Sequence, residues 1–98
     1  LDRWLTDYKE NTVRPGTLDA FVREINASGV EVRFRAMPGN IKFDYAIPVK
    51  DPDTLYMNDL WADEPSFEAH LHCETVDIWH EIKDRYVIAK DVRRYDIP

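Results

Sequence analysis

Two runs of strand periodicity on either side of a proline-bounded turn constrain this chain more than any other feature. Ile41, Phe43, Tyr45 and Ile47 alternate with Lys42, Asp44 and Ala46 until Pro48 ends the run. Asp51-Pro52-Asp53 then supplies turn chemistry, because proline presets φ and aspartate bonds its own backbone. Thr54 to Trp61 follows, rich in β-branched, aromatic and long apolar side chains, so the two runs are expected to pair as antiparallel strands. Ala62 to Pro65 breaks the second strand, and Asp63 or Ser66 is placed to cap a helix. Phe67, His70 and Leu71 fall at i, i+3 and i+4 of that helix, which puts His70 on the inward stripe. An imidazole there needs a partner, and the Asp59 carboxylate on the preceding strand is the natural one.

The flanking segments extend the pattern. Thr17 reads as the cap of a helix whose Leu18, Phe21, Val22 and Ile25 keep i, i+3, i+4, i+7 spacing until Ser28-Gly29 stops or kinks it. Ile78, Trp79, Ile82 and Tyr86 mark a helix from about Thr75, its expected cap, to Tyr86, and a last strand is expected from about Lys90 to Ile97. Val30, Val32, Phe34 and Ala36 alternate with Glu31, Arg33 and Arg35, which is strand periodicity. Residues 1–13 carry the least regular pattern: Trp4, Thr6 and Tyr8 alternate with Leu5, Asp7 and Lys9, but Lys9-Glu10-Asn11 interrupts them with polar groups. The strand from Thr54 carries Leu55, Met57 and Trp61 on one face and Tyr56 and Leu60 on the other. Both faces are apolar, so a second sheet is expected to cover the side that helices leave bare.

Composition narrows the function classes. The 98 residues make a single domain, 1–98, small enough that association with a second copy would help its stability. Thirteen basic against nineteen acidic side chains give a net charge of −6 with the basic ones scattered, which argues against nucleic acid. Cys73 is the one cysteine and rules out an internal disulfide, and no apolar run approaches the roughly 20 residues of a membrane span. A cytoplasmic protein with a trimmed start at Leu1 is the expectation.

Asp59, Trp61 and His70, with Arg14-Pro15-Gly16 before the first helix and Pro38 to Tyr45 around the turn into the second strand, resemble the antibiotic biosynthesis monooxygenase family. The resemblance spans roughly Arg14 to Tyr95 in the family's order. It implies an α+β, ferredoxin-like β-α-β-β-α-β fold with split helices and a four-stranded antiparallel sheet, two copies of which pair into a dimeric α/β barrel. It also implies that Val30 to Ala36 continues helically and that the first strand lies within residues 1–13.

The chemistry that the resemblance implies is a cofactor-independent monooxygenation of a small hydroxylated aromatic or quinol, with no metal. Such a reaction asks for a base, donors aimed at an oxyanion, and a dry pocket. His70 is the candidate base, with Asn58 and Tyr45 as catalytic donors and Trp61, Tyr56, Phe67 and Trp79 as the substrate-binding wall. Two departures stand out. Many members carry a second histidine where this chain has Thr75, and a glutamate where it has Asp59. Two alternatives remain: a non-catalytic dimeric module that binds a small hydrophobic molecule, and a haem-degrading relative in which His80, ten residues after His70, would ligate iron. His72 points to the solvent side, about 200° around the helix from His70.

Overall fold

The computed structural model of the chain describes residues 4–97; residues 1–3 and 98 lie outside the described part. The elements run β1 (Trp4–Val13), α1 (Leu18–Ser28), α2 (Val30–Arg35), β2 (Asn40–Ala46), β3 (Thr54–Trp61), α3 (Glu64–Leu71), α4 (Glu74–Tyr86) and β4 (Val87–Ile97). The strands form one antiparallel sheet in the order β2-β3-β1-β4. This is the expected ferredoxin-like α+β fold, with four helices in two pairs. No helix is long and apolar enough to cross a membrane among the described residues.

The polar run Lys9-Glu10-Asn11 does not interrupt β1. The strand is central, laddered to β3 from Leu5 opposite Trp61 to Thr12 opposite Thr54, and to β4 from Trp4 opposite Ile97 to Val13 opposite Val87. Both edges of its backbone are therefore satisfied, and its side chains are free to be polar.

Helix boundaries follow local chemistry with three corrections. Thr17 makes no capping bond; its hydroxyl donates to the Arg14 carbonyl at 2.6 Å, inside a turn that Gly16 ties to Asp53 by donating to the carboxylate at 3.1 Å. Thr75 lies within α4 rather than capping it, because the helix already begins at Glu74. The last strand starts at Val87, three residues early, since the chain passes from α4 into extended backbone with no loop. Asp63 does cap α3, accepting from the Ser66 backbone N–H at 2.8 Å.

The alternation in Val30 to Ala36 resolves as a helix. Gly29 sits at φ 76°, a left-handed position that ends α1 and redirects the chain into α2. Val30 and Phe34, four apart, are then buried together while Val32 is 71% exposed. With Phe21 and Ile25 of α1, Phe43 of β2, Leu55 and Met57 of β3, and Val76, Trp79 and Ile82 of α4, they fill one core between helices and sheet.

The other sheet face carries no helix. Thr6 donates to the Asn58 Oδ1 across it at 2.8 Å, and the Tyr8 and Tyr56 rings lie 5.6 Å apart. These groups and Leu60 are already half-buried.

Gly39 closes the turn before β2 against α3, at φ 83°, where an added Cβ would collide with the Ser66 side chain. Gly29 has the same backbone hand but open space around it. Gly39→Ala should therefore cost about 1–3 kcal/mol, and Gly29→Ala about 1 kcal/mol from backbone strain alone. Urea unfolding of the two variants checks the order; equal losses would show that the Ser66 contact is not felt.

Candidate active site

The inward face of β1 reads Asp7, Lys9, Asn11, Val13, so the sheet's central strand presents a polar stripe to the helices. Asp7 lies directly opposite Asp59 of β3, and both are fully buried. Lys9 stands between them, its Nζ 3.1 Å from Asp7 and 3.9 Å from Asp59, with a side chain only 12% exposed. Arg94 of β4, the other register neighbour of Asp7, reaches it at 3.3 Å.

Asp59 organises the histidine. Its Oδ2 accepts from the Trp61 Nε1–H at 2.7 Å and lies 3.5 Å from His70 Nε2. The indole and imidazole rings stack at 4.7 Å, Phe34 meets the imidazole edge-on at 4.7 Å, and Phe67 closes a further side at 6.2 Å. His70 is 1% exposed, and neither ring nitrogen has a hydrogen-bond partner within accepted geometry.

Burial moves the two titrations in opposite directions. The Asp59 carboxyl is pushed up to about 6 by loss of water and by Asp7, against the pull of Lys9 and the Trp61 bond. His70 is pushed down to about 4, first by burial and then by Lys9. At neutral pH the site therefore holds a carboxylate and a neutral imidazole in contact.

The structure gathers some of the expected residues and separates others. His70, Trp61 and Phe67 meet around Asp59, and Tyr45 shares the interior face with a buried, unpartnered hydroxyl that burial pushes well above the usual phenol range. Trp61 is not a free oxyanion donor, because its N–H is committed to Asp59. Asn58 and Tyr56 lie on the opposite sheet face, since residues flanking Met57 and Asp59 on a strand must point the other way. Trp79 packs on Phe21 at 5.7 Å in the core between α1 and α4. Sequence reading missed Asp7, Lys9 and Arg94. The signal for the first two was the two-residue period of β1, carried by charged instead of apolar side chains.

A cleft of about 270 Å³ lined by Leu5, Glu64, Phe67, Glu68 and Arg94 adjoins this site, sharing Phe67 with it. The Arg94 guanidinium lies over the outer face of that ring at 5.1 Å. Asp7, Asp59 and His70 also place one ligand atom each within 4.8 Å of one another, a spacing that a divalent ion could use. The Lys9 ammonium already supplies positive charge to both carboxylates there. Haem does not fit: His80 is exposed on α4 and lines none of the clefts described among these residues, so it offers iron no enclosed pocket.

A ferredoxin-like sheet with an enclosed histidine–carboxylate pair beneath split helices defines the class of protein. Residues 8–82 match the antibiotic biosynthesis monooxygenase family, and the chain belongs to that family. A candidate antibiotic biosynthesis monooxygenase of Chloroflexus aurantiacus has the same fold with a TM-score of 0.76 at 23% identity, over 97% of this chain and 92% of that one. Another, of Nitrosomonas europaea, superposes with a TM-score of 0.86 at 14% identity, covering 97% and 90%. A conserved protein of Methanosarcina mazei reaches 0.87 at 15% identity, covering 98% and 94%. No curated protein sequence matches the chain significantly.

The opposed shifts have a signature in stability. Asp59 binds a proton below about pH 6 when folded but only near 3.8 when unfolded, so it makes stability fall as pH rises through that window. His70 binds one below 6.5 when unfolded but only near 4 when folded, so it makes stability fall as pH drops. The two trends offset each other in the parent. Asp59→Asn should leave stability rising by about 1–3 kcal/mol between pH 4 and 6.5 relative to the parent, and His70→Ala should tilt it the other way by a similar amount. Urea unfolding across that pH range reads the slopes; parallel curves for the two variants would contradict the pairing.

Proposed function

We propose that this chain is a cofactor-independent monooxygenase of small hydroxylated aromatics, with the His70–Asp59 pair as its base. The observation that carries this reading is the imidazole itself. It is buried and stacked, yet both nitrogens lack a hydrogen-bond partner; buried polar groups are seldom left so, and availability for a substrate proton accounts for it. A phenol or anthrone entering past Phe67 gives its proton to the His70–Asp59 pair, whose facing atoms lie 3.5 Å apart. The resulting carbanion or phenolate is the electron donor to O₂. For an anthrone, two C–H bonds of the ring methylene break, one oxygen atom of O₂ becomes the carbonyl and the other leaves as water; for a hydroquinone, one ring C–H and the O–H bonds break to give a hydroxyquinone and water, and in both the substrate supplies all four electrons. Lys9 and Arg94 are the lysine and arginine whose charge reaches His70, and they would act on an oxyanion formed beside it.

One observation favours a second reading. Phe34, Phe43, Met57 and Trp61 fill the interior around His70, as in a module that keeps the fold without turnover. Oxygen uptake with a panel of hydroquinones and anthrones separates the two. The parent should consume oxygen, and His70→Ala and Asp59→Asn should each lower the rate by at least about 100-fold while remaining folded by circular dichroism. Equal rates in parent and His70→Ala would remove the imidazole from the mechanism.

We also infer that the helix-free sheet face pairs with a second copy of the chain, giving a homodimer. Half-buried Tyr8, Tyr56 and Leu60 make that face too apolar to be a lasting water surface. Sedimentation should find a dimer, and Tyr56→Arg with Leu60→Arg should convert it to a folded monomer; a monomeric parent would exclude the pairing.

A further inference from the structure

We propose that the junction of α4 with the inner face of β4 binds a small anionic group, a carboxylate or phosphate carried by a small molecule. This site neighbours the His70 pair but stands independently of it, because it requires no turnover. Positive side chains converge there from three elements. Lys90 of β4 stands opposite Asn11 of β1, on the helix-covered face, and Lys9 stands two residues along β1, opposite Val92. Lys83 comes down from α4 with its side chain 17% exposed. Burial and then the charge of Lys83 push the Lys90 ammonium down, and His80, one turn earlier on α4, feels the charge of all three lysines. Lys83 and Lys90, with Val87, Ile88 and Ala89, wall a cleft of about 170 Å³, the size of an acidic group rather than of a whole cofactor.

Like charges on one cleft repel, and this chain, at net −6, has acidic groups enough to separate them elsewhere. The carboxylates nearby do little to offset the repulsion. Asp84 lies 4.0 Å from Lys83 Nζ and is 73% exposed, while Asp7 is already held by Lys9 at 3.1 Å and Arg94 at 3.3 Å. Among the described residues no carboxylate comes within ion-pair distance of Lys90. Beside Lys90, Asn11 is fully buried, and neither atom of its carboxamide has a partner. Two ammonium groups on one small cleft are the donor set of an oxyanion site, and the unpartnered carboxamide of Asn11 lies behind them as the register partner of Lys90. A cation or a neutral ligand would leave the lysine repulsion in place.

Benzoate is a suitable probe and benzamide its neutral counterpart of the same shape, read by calorimetry and by the NMR shift of the His80 ring. The parent should bind benzoate saturably with a Kd below about 10 mM, benzamide at least roughly tenfold more weakly, and inorganic phosphate should displace benzoate. Lys83→Ala and Lys90→Ala should each weaken benzoate binding about tenfold without lowering the unfolding midpoint, since each removes a repulsion. Lys50→Ala, in the turn between β2 and β3, should change nothing. The site is overturned if benzoate and benzamide bind equally, if phosphate fails to compete, or if both lysine variants bind benzoate as the parent does.

Discussion

The ammonium of Lys9 is the contact on which the interior depends. Asp7 and Asp59 are direct register partners on adjacent strands, and both are cut off from water. Two carboxylates placed so close cannot both ionise unless a cation stands with them. Lys9 does so at 3.1 and 3.9 Å, and Arg94 neutralises Asp7 from the far strand at 3.3 Å. Removing one member of such a buried set typically costs about 3–5 kcal/mol, because the others are left uncompensated. The stripe is therefore kept or lost as a unit, and β1 must stay central for its members to meet.

The histidine site is built on this charge set. With Asp59 held, the Trp61 N–H has a fixed acceptor and its indole a fixed plane, and that plane is the surface on which His70 stacks. Phe34 approaches from α2, which exists as a separate helix because Gly29 lets the chain turn there. Phe67 approaches from α3, one turn before His70, and Arg94 packs over its outer face. The cation that neutralises Asp7 thus also covers the ring that separates His70 from the cleft, so the electrostatics of the interior and access to it share one side chain.

Much of this was legible in the sequence where the signal is local. The β2–β3 hairpin, the inward His70 and the Asp63 cap rest on periodicity and turn chemistry within a few residues of each other, and each is found. In Val30 to Ala36 the residues alternate like a strand, yet the helical continuation that the family resemblance implies is what forms, with Val30 and Phe34 buried one turn apart and Val32 and Arg33 exposed between them. Asn58 failed on parity: lying between Met57 and Asp59, it cannot share their face, and its attraction as a donor was chemical rather than geometric. The polar stripe was hidden for a different reason. Periodicity identifies an inward face by its apolar residues, and β1 inverts that rule, while the partner that makes Asp7 tolerable, Arg94, lies 87 residues away.

Asp59 is the titratable group that faces the His70 ring, at 3.5 Å. On a surface an imidazole holds a proton more tightly than a carboxylate; inside this fold, burial reverses the order, with Asp59 near 6 and His70 near 4. Before any proton arrives, Asp7 and Asp59 are balanced by Lys9 and Arg94. A proton delivered to the His70–Asp59 pair leaves the interior with one net positive charge, whichever of the two holds it. A substrate that gave up that proton would remain beside it as an anion, in surroundings where water screens little. The attraction between them exists only after the transfer, and this is the condition under which a fixed charge set lowers a barrier instead of merely tightening binding.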